Sequence, residues 1–516
     1  MFFDSDIFFD FGYVFLIYGL KKPSICVTIS RFDFARVIFT RREKLKLNKK
    51  KEKRKMQLIY NINDKPKFTR VLVFALQQLL AILAATIAVP AIIGNGMSQS
   101  AALFGAGVGT IVYQLFTRRK SPVFLGSSFA FLGSMSAAFA GGVSASAGHL
   151  GLIIGAAMAG LVYVVIAVVV KYVGVNWINK LMPAVVIGPT VAIIGLSLSG
   201  NAVGDLTKGP NTYLALLCGL VTLFTVMIAS VFGKKMMKMI PFIIGILAGY
   251  VLATIFTVIG LIADVPAMQI INFSIFKDMQ WVPDFTFIKA FKNELTFGEY
   301  GNFWGFLGSV AVAYVPVAMV VLAEHIADHK NLSSIIGHDL LEEPGLSNTL
   351  LGDGVGSIAG AFFGGCPNTT YGESVGCVAI SGNASTITIT VTAFMAIIAS
   401  FFAPFVTFLA TIPSCVMGGV CIALYGFIAV SGLKMLQSVD LGENRNLFVV
   451  STILITGVGG LVLQIGVVKI TSIACALILG IIVNVMLNRK NSAPAAESTE
   501  SIPATEETVE NVTAEQ

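Results

Sequence analysis

Charge is scarce in this sequence: Asp, Glu, Lys and Arg make up only 12% of its 516 residues, against roughly 25% in a soluble chain. That shortage leaves too little for a water-facing surface and excludes an ordinary soluble enzyme or a nucleic-acid binder. Cysteine offers no framework either. Cys26, Cys218, Cys366, Cys377, Cys415, Cys421 and Cys475 have no paired spacing and mostly sit in apolar runs. A disulfide scaffold and a cysteine metal site are excluded, which leaves small core residues. No nucleotide-binding motif, nucleophile–base pair or metal cluster is evident, so no enzyme, catalytic residue, metal or cofactor is expected.

What remains is apolar: 55% of residues are hydrophobic and the mean hydropathy is +0.83. A bilayer-crossing helix needs about 20 such residues. About fourteen hydrophobic segments occur, near 70–90, 98–116, 122–140, 149–171, 181–200, 212–232, 238–262, 303–327, 346–364, 367–382, 386–410, 413–433, 446–464 and 470–488. The expected fold class is an all-α polytopic membrane protein. Lys and Arg mostly follow even-numbered segments: Arg118–Lys120, Lys171 and Lys180, Lys234 to Lys238, Lys330, Lys434, Arg489 and Lys490. By the positive-inside rule both termini are expected in the cytoplasm. The exceptions are Lys208, Lys469 and the loop with Lys277, Lys289 and Lys292.

The ends differ in kind from the middle. The first 55 residues hold fourteen Lys and Arg against six acids. Their apolar run, Ile7–Leu20, contains Asp10 and follows Asp4 and Asp6, unlike a signal peptide. The run Lys49–Lys55 could be a membrane-surface patch. It also consists only of residues with purine-only codons and abuts Met56, the form of a translated ribosome-binding site. The natural start is therefore expected at Met56, with residues 1–55 a non-native or disordered extension. Residues 491–516 are Ser, Thr, Ala, Pro and Glu-rich and are expected to be a disordered acidic tail.

The two halves of the chain resemble each other. Gly105-Ala-Gly-Val-Gly-Thr-Ile111 in segment two matches Gly352-Asp-Gly-Val-Gly-Ser-Ile358 in segment nine, and Pro122 or Pro367 follows. Pro183-x-x-Val186-x-Gly188 matches Pro413-x-x-Val416-x-Gly418. A repeat of seven segments, an odd number, must cross in the opposite sense the second time. Inverted repeats are a transporter signature, with the substrate at the midplane between broken helices. Segments three and ten fit that role. Each starts at a proline, continues with β-compatible residues and reaches a glycine and a polar cluster, as an extended stretch feeding a half-helix would. The half-helix N-termini would present free N–H groups to carbonyl oxygens of a small ligand.

Two acids stand out there. Glu373 opens the half-helix of segment ten, and Glu324 ends the apolar run Val310–Ala323. A charge in a span is costly and usually functional. The plainer alternatives are an interfacial charge for Glu324 and a first-turn acid complementing the dipole for Glu373. Asp328, at i+4 from Glu324, can share a proton or hydrogen bond with it, whereas His325 and His329 point elsewhere and are expected at the interface. Asp353 is either a third buried acid or a packing residue. Phe129 and Tyr371 are apolar plates near the crossing, for packing or for stacking on a ligand.

These residues carry a resemblance. Pro367-Asn-Thr-Thr-Tyr-Gly-Glu-Ser-Val-Gly376, with Ala323-Glu-His325 and Asp339-Leu-Leu-Glu-Glu-Pro-Gly345 before it, is similar to the nucleobase–ascorbate transporter family, and within it to the bacterial uracil:proton symporters. The resemblance runs from about Phe68 to Lys490. It implies about fourteen transmembrane segments in two inverted seven-segment repeats, with short antiparallel strands in segments 3 and 10. Within a transporter domain at 56–490, segments 1–4 and 8–11 (about 70–171 and 303–410) would form a core. Segments 5–7 and 12–14 (about 181–262 and 413–488) would form a gate. It further implies a homodimer in the cell membrane that imports uracil with protons. Glu324 and Glu373 would hold the base, backbone at Phe129 and Gly372 would hydrogen-bond it, and Ala85 and Tyr371 would line the pocket. Glu324 and Asp328 are the expected proton-coupling residues. Ser374 and Ser381 stand where the family pattern usually has Asn and Thr, and some members have His at the position of Asp328.

The chemistry fits independently. Uracil offers two ring N–H donors and two carbonyl acceptors, and carboxylates and backbone N–H groups are their complements. Desolvation favours the neutral form of a carboxylic acid, which lets it load a proton. The alternatives are a xanthine or urate carrier of the same fold and an anion transporter of the sulfate-carrier architecture. The last expects a basic residue where Glu373 stands.

Overall fold

The computed structural model describes residues 58–465 and 468–488. The expected extension before Met56, its basic run, Cys26 and the tail after Lys490 lie outside the described residues. From the N-terminal side the chain forms α1 (Phe68–Ile93), α2 (Gln99–Phe116), strand β1 (Leu125–Ser127), α3 (Leu132–Ala138), α4 (Ala145–Val173), α5 (Asn176–Leu181), α6 (Ala184–Ser197), α7 (Ser199–Leu206), α8 (Thr212–Phe232), α9 (Lys235–Met239) and α10 (Pro241–Ile262). It continues with α11 (Thr286–Ala290), α12 (Phe303–Ile336), α13 (Leu346–Gly364), β2 (Asn368–Thr370), α14 (Gly372–Ser381), α15 (Thr386–Ser400), α16 (Ala403–Ala410), α17 (Ser414–Met435), α18 (Asn444–Val458), β3 (Leu463–Ile465), β4 (Val468–Ile470) and α19 (Ser472–Asn488).

Every hydrophobic segment expected from the sequence contains at least one of these elements. Among the described residues seven helical stretches are long and apolar enough to cross a membrane, or eight if α15 and α16, bent by 82°, count as one span. The others are shorter or more polar. The helices of segments three and ten have 7 and 10 residues, about half or less of what a bilayer core requires. Helices α18 and α19 have 15 and 17 residues, and α2 and α13 carry the repeated glycines. Local chemistry sets the helix starts: Ser98 accepts from the Ala101 N–H at 3.2 Å and Asn302 from the Gly305 N–H at 2.8 Å, each satisfying an amide left free by the first turn.

The glycine motifs explain how the helices pack. Gly109 of α2 lies on Gly356 of α13, where an added Cβ would stand 2.7 Å from the Gly356 carbonyl oxygen. Gly160 of α4 approaches Gly354 of α13 as closely, at 2.6 Å. Lipid tails are as apolar as side chains, so helices in a bilayer associate through such close backbone contact. The matching Gly-rich stretches of the two halves thus pack against each other. Helices α1, α2 and α4 pack with α12, α13 and α15, while α6, α8 and α10 pack with α17 to α19, partly through Gly188 on Gly432 and Gly219 on Gly419. Large apolar side chains such as Leu161, Val165, Phe224 and Val251 are exposed, a surface suited to lipid chains. The six cysteines in the described part are free and buried.

Candidate functional site

Strands β1 and β2 pair antiparallel at the centre of the first helix group, with Leu125 opposite Thr370, Gly126 opposite Thr369 and Ser127 opposite Asn368. Extended backbone at membrane depth must have its polar groups satisfied by protein. The ladder is prolonged by Ser128 N–H to Pro367 O at 2.9 Å and Tyr371 N–H to Phe124 O at 3.2 Å. Side chains from both halves finish it. The Leu125 N–H donates to Thr110 Oγ1 at 2.9 Å, and the Phe124 N–H to Ser374 Oγ at 2.9 Å. Gln78 of α1 also donates to Ser374. Ser374, one of the two residues that depart from the family pattern, thus ties α14 to the strand of the other half. The Tyr371 hydroxyl donates to Ser127 O at 2.9 Å, and its ring lies where a Cβ on Gly126 would be, 2.2 Å from Cε2.

A cavity of about 240 Å³ opens beside this crossing. Glu324 and Asp328 line it from α12, Tyr371, Gly372 and Glu373 from the start of α14, and Phe129 from the turn after β1. At the head of α14 the first i-to-i−4 bond runs from the Val375 N–H to Tyr371 O at 3.1 Å, so the amides of Gly372 and Glu373 precede the helical ladder. Asp328 Oδ2 accepts from the Thr370 hydroxyl at 2.8 Å. Glu324 Oε2 is buried without a hydrogen-bond partner among the described residues, a costly state for a polar atom unless something else satisfies it.

The structure therefore brings six of the expected residues to one cavity: Glu324, Asp328, Glu373, Gly372, Tyr371 and Phe129. Ala85 is not among its lining; it is fully buried in α1, and Ala81, one turn earlier, lines the cavity instead. The histidines correct the sequence reading. His325 and His329 are buried rather than interfacial, because α12 continues three turns beyond Glu324 to Ile336. His325 Nδ1 lies 2.7 Å from Asp353 Oδ2 and Nε2 lies 3.0 Å from Thr349 Oγ1. His329 contacts the Tyr113 hydroxyl at 2.8 Å. Asp353 is buried behind the cavity, joining this network and accepting from Thr369 Oγ1 at 3.3 Å. By contrast, the exposed pair of Lys120 and Glu343 sits outside the spans, and the hydrogen-bonded ammonium holds the Glu343 carboxyl below the usual range.

The other helix group closes the cavity with residues the sequence reading left unassigned: Phe242 of α10, Phe427 and Ser431 of α17, and Lys238 of α9. Lys238 counted there only toward orientation. Phe242 and Phe427 carried no signal, since an aromatic in a span looks the same whether it meets lipid, protein or ligand.

Known proteins resemble this chain in sequence and in fold. The family model described as "Permease family" matches residues 69–466. The uracil permease of Bacillus caldolyticus is 38% identical over 438 residues, covering 83% of this chain and 94% of that protein. That of Bacillus subtilis (strain 168) is 36% identical over 439 residues, 82% and 94% of the two chains. For Escherichia coli (strain K12) the figures are 30% over 430 residues, 81% and 92%. Among solved structures, the transmembrane domain of a cyanobacterium bicarbonate transporter aligns with a TM-score of 0.54 and 17% identity over 83% of this chain and 100% of that one. The murine Solute Carrier 26 family member A9 anion transporter, in the inward-facing state, aligns with a TM-score of 0.56 and 11% identity over 82% of this chain and 69% of its own. At those identities the likeness is one of fold. Sequence similarity this extensive, over a stretch that spans both crossing segments, makes this chain a member of the nucleobase–ascorbate transporter family of permeases.

Proposed function

We propose that this protein is a uracil:proton symporter that imports uracil across the cell membrane. The observation that carries the reading is the single cavity shared by Glu324, Glu373 and the amide end of α14. Its volume, about 240 Å³, is below the roughly 300–1,000 Å³ of drug-sized pockets and suits a one-ring ligand. The two carboxylates accept the ring N–H groups, and the backbone N–H groups of Gly372 and Phe129 serve the carbonyls. Phe129 and Tyr371 flank the ring. Glu324, with its unpartnered oxygen, is the main proton carrier, and Asp328 one turn on is the relay.

The matching relatives are named uracil permeases, which supports a pyrimidine over xanthine or urate. Acids at the crossing speak against an anion substrate. The wider reading includes about fourteen segments in two inverted repeats and a core formed by the first helix group moving against a gate formed by the second. It also includes cytoplasmic termini and a homodimer in lipid. The test is uptake of radiolabelled uracil in cells lacking their own carrier. Uptake should rise as external pH falls, collapse with a protonophore and resist competition by xanthine. Uptake that followed a sodium gradient at fixed pH would remove the proton from the mechanism.

A further inference from the structure

Among the residues lining the cavity three bear carboxyl groups, Glu324, Asp328 and Glu373, and one bears an ammonium, Lys238. The acids belong to α12 and α14, in the first helix group. Lys238 belongs to α9, between α8 and α10 of the second. Helix α9 is pinned across the boundary: Met239 packs with Ala81 of α1 and Cys377 of α14, and Gln77 of α1 approaches the Met236 sulfur at 2.7 Å. Lys238 itself is exposed at the cavity mouth and has no ion-pair partner among the described residues. Around the same space α8, α10 and α17 contribute the uncharged Ser230, Phe242 and Ser431, and the α14 end adds the Tyr371 hydroxyl.

We propose that Lys238 is an unloading counter-charge: it stands against the carboxylate left in the cavity when the transported proton departs toward the Lys238 side. This rests on the reading of the chain as a proton-coupled uracil carrier. On release a carboxyl O–H bond breaks, the proton passes to bulk water and a negative charge stays behind in a poorly solvated space. An unpaired charge there is expensive, and an ammonium lining the same cavity offsets part of it. Because the acids and the lysine come from different helix groups, the offset exists only in the arrangement that brings α9 to this cavity. Release is thereby favoured on one side of the membrane without weakening proton binding on the other. Lys238 is a positioning residue for charge and has no required contact with uracil.

The test uses right-side-out membrane vesicles containing wild type, Lys238→Gln or Lys238→Arg, with luminal pH set independently. Net uracil uptake requires luminal proton release on every cycle; uracil exchange does not. Lys238→Gln should lower net uptake about tenfold at neutral luminal pH while exchange continues. Its half-maximal net uptake should move to a luminal pH about one unit higher, the scale of one opposite charge nearby. Lys238→Arg should follow wild type. Equal loss of exchange and net uptake, or normal exchange with an unmoved luminal pH profile, would overturn the assignment. So would an arginine variant that behaves like glutamine. Wild-type vesicles that neither accumulate nor exchange uracil would instead overturn the uracil reading, and this inference with it.

Discussion

In the first half of the chain the crossing strand leads through Phe129 into a seven-residue helix with no charged side chain; in the second it leads through Tyr371 into a ten-residue helix that opens with Glu373. The backbone plan is shared, but the chemistry is divided. The first crossing contributes an aromatic ring and a glycine, Gly126, that leaves space for the Tyr371 ring of the second. The second contributes an acid and the amides of Gly372 and Glu373, which precede the helical ladder. Two segments with the same strand-to-helix path therefore need not carry the same chemistry. Two antiparallel strands need only matching hydrogen bonds, so side chains off the ladder are free to differ between halves.

That division can be broken at several points. The largest effect is expected at Glu324. Glu324→Ala should abolish both uracil exchange and proton-driven accumulation, whereas Glu324→Gln, a mimic of the protonated acid, should keep some exchange and lose accumulation. Counterflow in proteoliposomes beside uptake under an imposed pH gradient separates the two, and full accumulation by the glutamine variant would move the proton to Asp328 or Asp353. Next comes Glu373→Gln. Loss of a charged hydrogen bond, about 1.5–3 kcal/mol, should weaken uracil binding roughly ten- to a hundredfold by calorimetry. Phe129→Ala should cost less, about 0.5–1.5 kcal/mol for one ring contact. Equal losses from the two would erase the contrast between a charged and an apolar crossing.

Smaller effects sharpen the fit between halves. Gly126→Ala must displace the Tyr371 ring, an overpacking cost of about 1–3 kcal/mol, and should lower the melting temperature of the purified protein as well as uptake. Tyr371→Phe removes the hydroxyl and with it the bond to Ser127 O, worth about 1 kcal/mol. Its melting temperature should fall slightly with uracil affinity close to wild type. A larger drop in affinity would mean that the hydroxyl, and not the ring, faces the ligand.

Much of this was legible in the residues. Long apolar runs announce helices because bilayer thickness imposes their length, and the paired Gly-rich motifs mark the α2–α13 crossing because only glycine lets backbones approach so closely. The acids of the cavity stood out because charge is rare in a span. His325 and His329 were misjudged, since the apolar run stops at Ala323 while the helix does not. Their polar side chains are satisfied by Asp353, Thr349 and Tyr113, partners that no local pattern reveals. Ala85 lies one turn beyond Ala81 on α1, and only its depth in the bundle separates a cavity wall from a core position.

By itself the sequence determined the membrane class and where its apolar helical stretches lie, and it singled out the candidate acids, because these follow from local hydropathy and from the cost of charge in lipid. Only the tertiary structure decided that Glu324, Asp328 and Glu373 share one space while Asp353 stays behind it, and that Lys238 reaches its mouth. Those outcomes depend on the register between β1 and β2 and on how two helix groups meet. Both are set by contacts such as the Tyr371–Ser127 hydrogen bond, between residues 244 positions apart, where no sequence periodicity extends.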